Sequence, residues 1–404
     1  MARSMKIFPA APLSLLLILA FAGIAIRAGA EEPIRLPDVV GSGEILSRSV
    51  TITGNPEALR QDAARLFDLH GGFERVGQRA DFRFAFTEKG SSAVGLRIES
   101  GGRVLLEETF RGADRTDALY RAADRAVERT LGLPGFFSGK VAFISDRTGH
   151  SEVYLTDFLF RSARQLTRDR SQCLSPDLSP DGRTVLYTSY HGTGFPDIYR
   201  IDLRTGERSL FAGFKGTNTG ATFSPDGSRV AMILSGSGNS ELYISDAKGG
   251  NLRRLTRSES LEAGPAWSPD GRRLLLTSDE MGRPQIYTMD LDRRSVTRVR
   301  TDISRHCSEA AWNPRDEDQI AFTAAMGGSF EVALFRFSEG RSRVVSKGTG
   351  DAVHPAWLAD GRHLLYTERT PRYSRIMILD TKTGKRFRFS PVELNSASEA
   401  APAG

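Results

Sequence analysis

Trp267-Ser268-Pro269-Asp270-Gly271 is the stretch that decides the fold, because the chain repeats it at a fixed interval. Further copies are LSPDG from Leu178, FSPDG from Phe223, WNPRDED from Trp312 and WLADG from Trp357. The steps between the five leading residues are 45, 44, 45 and 45 positions. A fixed period in this range is typical of a propeller or a repeat array rather than of one irregular domain.

Each period is predicted to contain four short strands. In Ser-Pro-Asp-Gly, Pro presets φ for a tight turn, Asp hydrogen-bonds the backbone, and Gly accepts a positive φ. The turn therefore joins an innermost strand, which ends at the aromatic residue, to a second strand. A second repeated column supplies the third strand, with VYLTD, IYRID, LYISD and IYTMD starting at Val153, Ile198, Leu242 and Ile286.

The second strands give the number of blades. They start at six positions about one period apart: Val141, Val185, Val230, Leu274, Ile320 and Leu364. The sequence therefore predicts a mainly β protein with a six-bladed β-propeller over residues 134–390. All three Trp end an innermost strand, so we expect them to pack between neighbouring blades.

Residues 45–133 do not repeat and are predicted to form a separate domain. Asn55 as N-cap and Pro56 as first helical residue indicate one helix, and a second is expected over residues 114–131. Three alternating runs between the helices, at 82–87, 94–99 and 104–110, predict strands. Two helices on a small, mainly antiparallel sheet make an α+β domain.

The N-terminus is typical of an export signal. Arg3 and Lys6 precede an apolar run over residues 13–26 and a small-x-small site that ends at Ala30. Residues 1–30 are therefore predicted to be a signal peptide that is removed on export. An uncleaved anchor is the alternative, since the apolar run nearly reaches membrane-spanning length.

Two further segments are predicted to lie outside the folded domains. Residues 31–44 are acidic and contain Pro and Gly, so we expect a flexible mature N-terminus. The tail 391–404 is rich in Ala and Ser, so we expect it to be disordered. The net charge of +6 is modest for 404 residues and is spread through the repeats, so a nucleic-acid partner is not favoured.

An export signal, a small α/β domain and a six-bladed propeller with SPDG turns, in that order, resemble the TolB family of the Tol–Pal cell-envelope system. The resemblance implies a non-enzymatic periplasmic protein without a cofactor. It also implies a peptidoglycan-associated lipoprotein as partner at the propeller mouth and an inner-membrane Tol component as partner of the mature N-terminus. We expect the protein itself to be a monomer.

The sequence departs from the family pattern at its C-terminal end. In the family, a C-terminal segment with a W-S-P-like strand completes blade one. Here Phe389-Ser390-Pro391 comes only 32 residues after Trp357, where the outer strand of blade six is expected. The sequence therefore shows no innermost strand for blade one.

The predicted binding surface is a ring of residues three positions before the aromatic column, where the chain enters the central channel. Loops held by a rigid scaffold commonly carry function, although an ordinary solvated channel mouth is the alternative. The ring members are Ser175, Gly220, Gly264, Glu309 and His354. We expect Glu309 and His354 to face solvent.

Four of the six His are predicted to lie in loops of the same face: His150, His191, His306 and His354. Imidazole is a common metal ligand and general base, so a second hypothesis is a metal-dependent propeller enzyme that resembles the oligogalacturonate lyases. The four His come from different blades without a short ligand spacing, so a binding protein is favoured. A relative of prolyl oligopeptidase is not favoured, because the sequence has no G-x-S-x-G motif.

Two Cys occupy equivalent repeat positions. Cys173 and Cys307 each precede the end of an innermost strand by five residues, in blades two and five. These blades face each other across a ring of six, whereas a disulfide needs Cα atoms within about 7 Å. The sequence therefore predicts two free thiols.

Overall fold

Six four-stranded sheets and one five-stranded sheet make up the described part of the chain. The structure is a computed structural model, and it describes residues 47–346, 348–394 and 396–403. The predicted signal peptide (1–30) and flexible N-terminus (31–44) lie outside these residues. Within them, no helix is both long enough and apolar enough to span a membrane.

The N-terminal domain is a mixed sheet with two helices. Its strands are β1 (Arg48–Asn55), β2 (Phe73–Arg75), β3 (Phe82–Glu88), β4 (Ala93–Ser100) and β5 (Arg103–Arg111). They lie in the order β2-β1-β3-β4-β5, with β1 parallel to β2 and β3 and the remaining pairs antiparallel. The predicted α+β domain is thus confirmed, but the prediction of a mainly antiparallel sheet is wrong, because two of the four strand pairings are parallel.

The two helices begin differently. In α2 (Arg115–Leu131), the Asp114 side chain accepts the Asp117 backbone N–H, and the helix ends at Gly132 with φ 66°. Helix α1 (Glu57–Leu69) starts after Pro56 without a side-chain cap. The prediction of Asn55 as N-cap is wrong, because Asn55 still pairs with β3 as the last residue of β1.

The propeller has six blades of four antiparallel strands, as predicted. The innermost strands are β9 (Cys173–Leu178), β13 (Asn218–Phe223), β17 (Glu262–Trp267), β21 (Cys307–Trp312), β25 (Asp351–Trp357) and β29 (Ser398–Pro402). The second strands are β6 (Val141–Ser145), β10 (Thr184–Ser189), β14 (Arg229–Leu234), β18 (Arg273–Ser278), β22 (Gln319–Met326) and β26 (His363–Arg369). The third strands are β7 (Glu152–Thr156), β11 (Asp197–Asp202), β15 (Glu241–Asp246), β19 (Gln285–Asp290), β23 (Ser329–Arg336) and β27 (Ser374–Asp380). The outer strands are β8 (Arg164–Gln165), β12 (Arg208–Ala212), β16 (Arg253–Arg254), β20 (Ser295–Arg298), β24 (Arg341–Val344) and β28 (Arg386–Arg388).

Blade one is completed by the C-terminal end of the chain. Strand β29 pairs antiparallel with β6, with Ala401 opposite Ala142 and Pro402 opposite Val141. The prediction of a disordered tail is therefore wrong, and the innermost strand of blade one, which the sequence did not reveal, lies in that tail. Small residues are an advantage here, because Ala400 is buried where six strands crowd around the propeller axis.

The repeated turn and the aromatic column behave as predicted. Ser268 accepts the Gly271 backbone N–H at 2.9 Å on its carbonyl oxygen, and Gly271 has φ 67°. Trp267 is 7% exposed, and its indole N–H donates across the blade boundary to the Thr222 carbonyl oxygen at 3.1 Å. Because this position is buried between two blades, five of the six innermost strands end in a large apolar residue, which is Leu, Phe or Trp.

The two faces of the propeller have different neighbours. We call the face with the SPDG-type turns the turn face, and the face with the loops that enter the innermost strands the mouth face. The N-terminal domain packs on the turn face at blades one and six, where one hydrophobic core runs through both domains. Phe136 in the connecting segment contacts Phe158 of blade one at a ring separation of 5.2 Å. The mouth face is left free by this docking.

Candidate functional site

A ring of left-handed residues surrounds the propeller axis, one in each blade. Five of them are the residues that the sequence singled out, and the sixth, Glu399, lies on β29. Their φ values are 48° for Ser175, 64° for Gly220, 57° for Gly264, 54° for Glu309, 53° for His354 and 51° for Glu399. We call these six residues the mouth ring.

A β-bulge produces each left-handed residue. In every blade, the pairing of the innermost strand with the second strand shifts register next to the ring residue. A bulge of this kind re-aims a side chain and is common beside functional sites. Four of the six positions hold a residue other than Gly, and a left-handed conformation costs such residues about 1–3 kcal/mol each. A strained backbone conformation that recurs at the same level in every blade makes this ring a candidate functional surface.

Hydrogen bonds join successive ring members across blade boundaries. The Glu309 carboxylate accepts the backbone N–H of His354 at 2.9 Å and the Thr323 hydroxyl at 2.7 Å. The Glu399 carboxylate accepts the backbone N–H of Ser175 at 2.6 Å. Glu309 and His354 are therefore partly buried, with 31% and 37% of their side chains exposed. Both side chains thus face solvent in part, and Glu309 also binds the neighbouring blade.

The ring lies in a central tunnel with a volume of about 770 Å³, lined by all six innermost strands. Among the described lining residues, the only cationic side chain is that of Arg369, which binds Asp351 at 3.1 Å. The carboxylates are those of Asp177, Glu262, Glu309 and Glu399. The tunnel lining is therefore acidic, with carboxylates from blades two, four, five and one, and the ionisable members of the mouth ring lie on blades five, six and one.

Asp177 is a partly buried acid of the tunnel wall. It lies two residues beyond Ser175 and accepts the Phe223 backbone N–H at 2.9 Å and the Thr222 hydroxyl at 3.2 Å. Burial raises the pKa of its carboxyl to about 7. In blades four, five and six and in blade one the equivalent residue is Ala, so this titrating group is confined to one sector of the tunnel.

Exposed apolar side chains lie on the mouth face beside the small ring residues of blades two to four. Phe195 and Met281 lie in loops between second and third strands and are 56% and 62% exposed. Phe214 precedes the innermost strand of blade three and is 48% exposed. The mouth therefore has an apolar half and a charged half, a combination suited to a protein partner.

The four predicted mouth His do not form one cluster. Among the described residues, none of them belongs to a group of three or more metal-ligating side chains whose ligand atoms lie within 4.8 Å of one another. His354 lines the tunnel, His150 is exposed, and the His306 ring packs on Phe330 at 5.4 Å. The backbone oxygen of His191 accepts the Tyr199 hydroxyl at 2.6 Å. The arrangement does not favour a metal centre at the mouth.

Glu399 and Asp177 are site residues that sequence reasoning missed. A signal for Glu399 was present, because it follows His354 by 45 residues, one full period. It was hidden because the strand has Pro402 where the other blades have Trp, Phe or Leu, and no SPDG turn follows. Asp177 had no signal, since its burial depends on the packing of blade three against blade two.

Comparison with protein families gives a match over most of the propeller and beyond. A family model described as the TolB β-propeller domain matches residues 127–401. A Tol-Pal system protein TolB from Alcanivorax borkumensis is 30% identical over 173 residues, which are 38% of this chain and 40% of that protein. A TolB homolog from Chlorobaculum tepidum is 35% identical over 113 residues, 27% of this chain and 26% of the relative. These alignments span less than half of the relatives' own length.

A solved structure extends the likeness to most of the chain. TolB from Acinetobacter baumannii superposes with a TM-score of 0.78 at 22% identity, and the match covers 88% of this chain and 96% of that one. At this identity the likeness shows a shared fold. Its coverage includes the N-terminal domain as well as the propeller.

Proposed function

This chain belongs to the TolB β-propeller domain family, and from that premise we propose that it is a periplasmic binding protein of a Tol–Pal-type envelope system. It acts by capturing a partner and not by catalysis. Its partner at the mouth ring is the periplasmic domain of a peptidoglycan-associated lipoprotein. The observation that carries the proposal is the ring of six left-handed residues at one level of an open tunnel mouth.

The mouth has the chemistry of a protein interface. Phe195, Phe214 and Met281 offer exposed apolar area, and hot spots of protein interfaces are built around such anchors. Glu309 and Glu399 offer carboxylates that hydrogen bonds already hold in place, and His354 adds an imidazole 3.4 Å from the Glu309 carboxylate. A partner loop that presents an apolar side chain beside a basic or N–H donor group fits both halves.

Two further parts of the proposal concern the N-terminus. Export to the periplasm is supported by the basic residues, apolar run and small-x-small site of residues 1–30. Contact with an inner-membrane Tol component is assigned to residues 31–44, by analogy with relatives that are named Tol-Pal system proteins. Both segments lie outside the described residues. The protein is proposed to act as a monomer.

Binding can be tested with two purified proteins. The full mature chain is titrated with the lipid-free periplasmic domain of a peptidoglycan-associated lipoprotein from the same cell, and heat and stoichiometry are measured. We expect a one-to-one complex with a dissociation constant in the micromolar range or tighter, about −8 kcal/mol. Absence of binding at about 100 μM of each protein contradicts the proposed partner.

A second measurement addresses the non-enzymatic part of the proposal. Elemental analysis of the purified chain, together with melting in added Mn²⁺, Zn²⁺ and Ca²⁺, tests the metal-dependent enzyme hypothesis directly. We expect no stoichiometric metal at the mouth. We also expect that added metal does not change the melting temperature in a way that depends on His354. Stoichiometric metal lost in His354→Asn contradicts the proposal.

A further inference from the structure

A buried pair of imidazoles joins the N-terminal domain to the turn face of the propeller. His70 follows the last residue of α1, and His363 begins β26 after the turn of blade six. Both residues are 0% exposed, and their ring centroids are 4.3 Å apart. His70 also stacks on Phe136 of the connecting segment at 5.4 Å with an interplanar angle of 8°. The contact therefore lies at the docking surface of the two domains.

Hydrogen bonds define the role of the Nδ1 atom in each ring. The Gly72 backbone N–H donates to His70 Nδ1 at 3.2 Å, so a neutral His70 carries its proton on Nε2. His363 Nδ1 is 2.6 Å from Asp360 Oδ2, so that nitrogen donates to the carboxylate. Neither His70 Nε2 nor His363 Nε2 has a hydrogen-bond partner within the described structure. The two Nε2 atoms are thus buried at the domain boundary, and Asp380 Oδ2 lies 3.8 Å from that of His363.

The charged groups around His70 are already paired with one another. Arg362 donates to both oxygens of Asp380 at 2.9 and 2.7 Å, and Asp360 is bound to His363. The nearby carboxylates of Asp360 and Asp380 favour a proton on His70, but neither is hydrogen-bonded to it. A proton added at Nδ1 would also replace the lone pair that accepts the Gly72 N–H by an N–H that points at it. Burial, and then the neighbouring His363 and Arg362, hold the pKa of His70 well below 6.5.

A metal ion does not fit this contact. Two imidazoles bound to one tetrahedral Zn²⁺ at about 2.0–2.1 Å have ring centroids roughly 5 Å apart, with both nitrogens turned to the ion. Here the rings are 4.3 Å apart and meet edge to face at 65°. The Nδ1 acceptor role of His70 also keeps its proton on the nitrogen that would have to bind the ion.

We propose that the His70–His363 contact is an acid-sensitive lock between the two domains. Neutral His70 permits docking of the N-terminal domain on blade six, and protonated His70 opposes it. The sign follows from the direction of the shift. Docking keeps His70 unprotonated while the unfolded chain takes up a proton near pH 6.5. The stabilisation is therefore complete above pH 6.5 and is lost progressively as the pH falls below it.

Other titrating groups at this interface set the design of the test. Asp124 accepts the backbone N–H groups of Phe137 and Ser138 at 2.7 and 3.0 Å, and burial raises its pKa to about 6. Its effect has the opposite sign, because protonation of a carboxyl with a raised pKa favours the folded state. Asp62 pairs with Arg161 across the same interface. The contribution of His70 to the pH dependence of stability can therefore be measured only by comparing the wild type with a variant of His70.

The test compares the full wild-type chain with His70→Asn between pH 7.5 and 5.5. Asn keeps an acceptor oxygen for the Gly72 N–H and does not titrate. Unfolding by urea should show an unfolding equilibrium constant that rises about tenfold more in the wild type than in His70→Asn over this range. Hydrogen exchange of the peptides that contain Gly72 and Phe137 should accelerate on acidification only in the wild type, after correction for intrinsic rates.

Three outcomes overturn the proposal. Equal acid sensitivity of both proteins shows that His70 is not the sensor. A metal site would replace the lock if the wild type contains stoichiometric zinc and a chelator lowers its melting temperature, while the same chelator does not lower the melting temperature of His70→Asn. If His70→Asn does not fold, wild type labelled with ¹³C at histidine Cε1 decides the question. A His70 resonance that titrates near pH 6.5 while the domains remain docked contradicts the lock.

Discussion

Glu399, on the last strand of the chain, accepts the backbone N–H of Ser175 across the boundary between blades one and two at 2.6 Å. The C-terminal strand therefore joins the first and last parts of the propeller and also supplies the sixth member of the mouth ring. Glu399 therefore both bonds blade one to blade two and completes the candidate site. This relationship gives the first prediction.

Two replacements of Glu399 should distinguish the contribution of its hydrogen bond to Ser175 from that of its negative charge. Glu399→Ala leaves the Ser175 N–H without its acceptor and should lower the free energy of unfolding by about 1–3 kcal/mol. Glu399→Gln keeps an acceptor oxygen and should lose less than half as much. Urea denaturation of both variants makes the comparison. Equal losses would mean that the charge matters and not the hydrogen bond.

Trp267 should be a large contributor to stability. Trp267→Ala removes a side chain that is 7% exposed and stacked under the Arg229 guanidinium at 4.7 Å, and it should cost about 3–5 kcal/mol. Trp267→Phe retains most of the packing and loses the bond to the Thr222 carbonyl, so about 1 kcal/mol is expected from that bond. Calorimetric melting measures both. A loss below about 1 kcal/mol for the Ala variant contradicts the assigned packing.

Both thiols should be present and unreactive in the native protein. Cys173 and Cys307 are free and buried, and burial raises their pKa values to about 12 and about 11. Because the thiolate is the reactive form, a thiol reagent should react slowly with the native chain. After denaturation without reductant, two equivalents should react at once. Uptake of none, with a mass two protons light, would show a disulfide.

Asp177 should make stability depend on pH near neutrality. Burial raises its pKa from 3.8 to about 7, so the folded state holds its proton more tightly than the unfolded state. Its contribution to stability is complete below pH 3.8 and is lost as the pH rises through 7. Asp177→Asn should therefore gain stability relative to the wild type between pH 5 and 8. A difference that is constant over this range, measured by urea unfolding, contradicts the shift.

Local chemistry made the propeller predictable. The turn around Pro269 and Gly271 needs few long-range contacts, and the period sets six blades with Trp267 and its equivalents buried between them. The innermost strand of blade one was not predicted, because Ser398–Pro402 has neither an aromatic residue nor a turn motif. Its pairing is determined by β6, which lies more than 250 residues earlier and has no other inner neighbour.

The site was predictable only where it repeats. Five members of the mouth ring could be identified, since each lies three positions before the end of an innermost strand. The pairing of Glu309 with His354 was not predictable, because it depends on the angle between adjacent blades. The His70–His363 contact was equally hidden, since it arises from docking of two domains.

The central claim is that the lipoprotein binds at the mouth. The most direct test is to measure its affinity for variants of the mouth face and for a matched variant of the turn face. The periplasmic domain of a peptidoglycan-associated lipoprotein is titrated into the wild type, His354→Asn, Phe195→Ser and the turn-face control Arg204→Ala. We expect both mouth variants to bind about tenfold more weakly or worse, a loss of about 1.4 kcal/mol or more, with melting temperatures unchanged. Arg204→Ala should bind like the wild type, because Arg204 is exposed in a loop on the opposite face. Wild-type affinity in both mouth variants, or a loss confined to Arg204→Ala, contradicts the account.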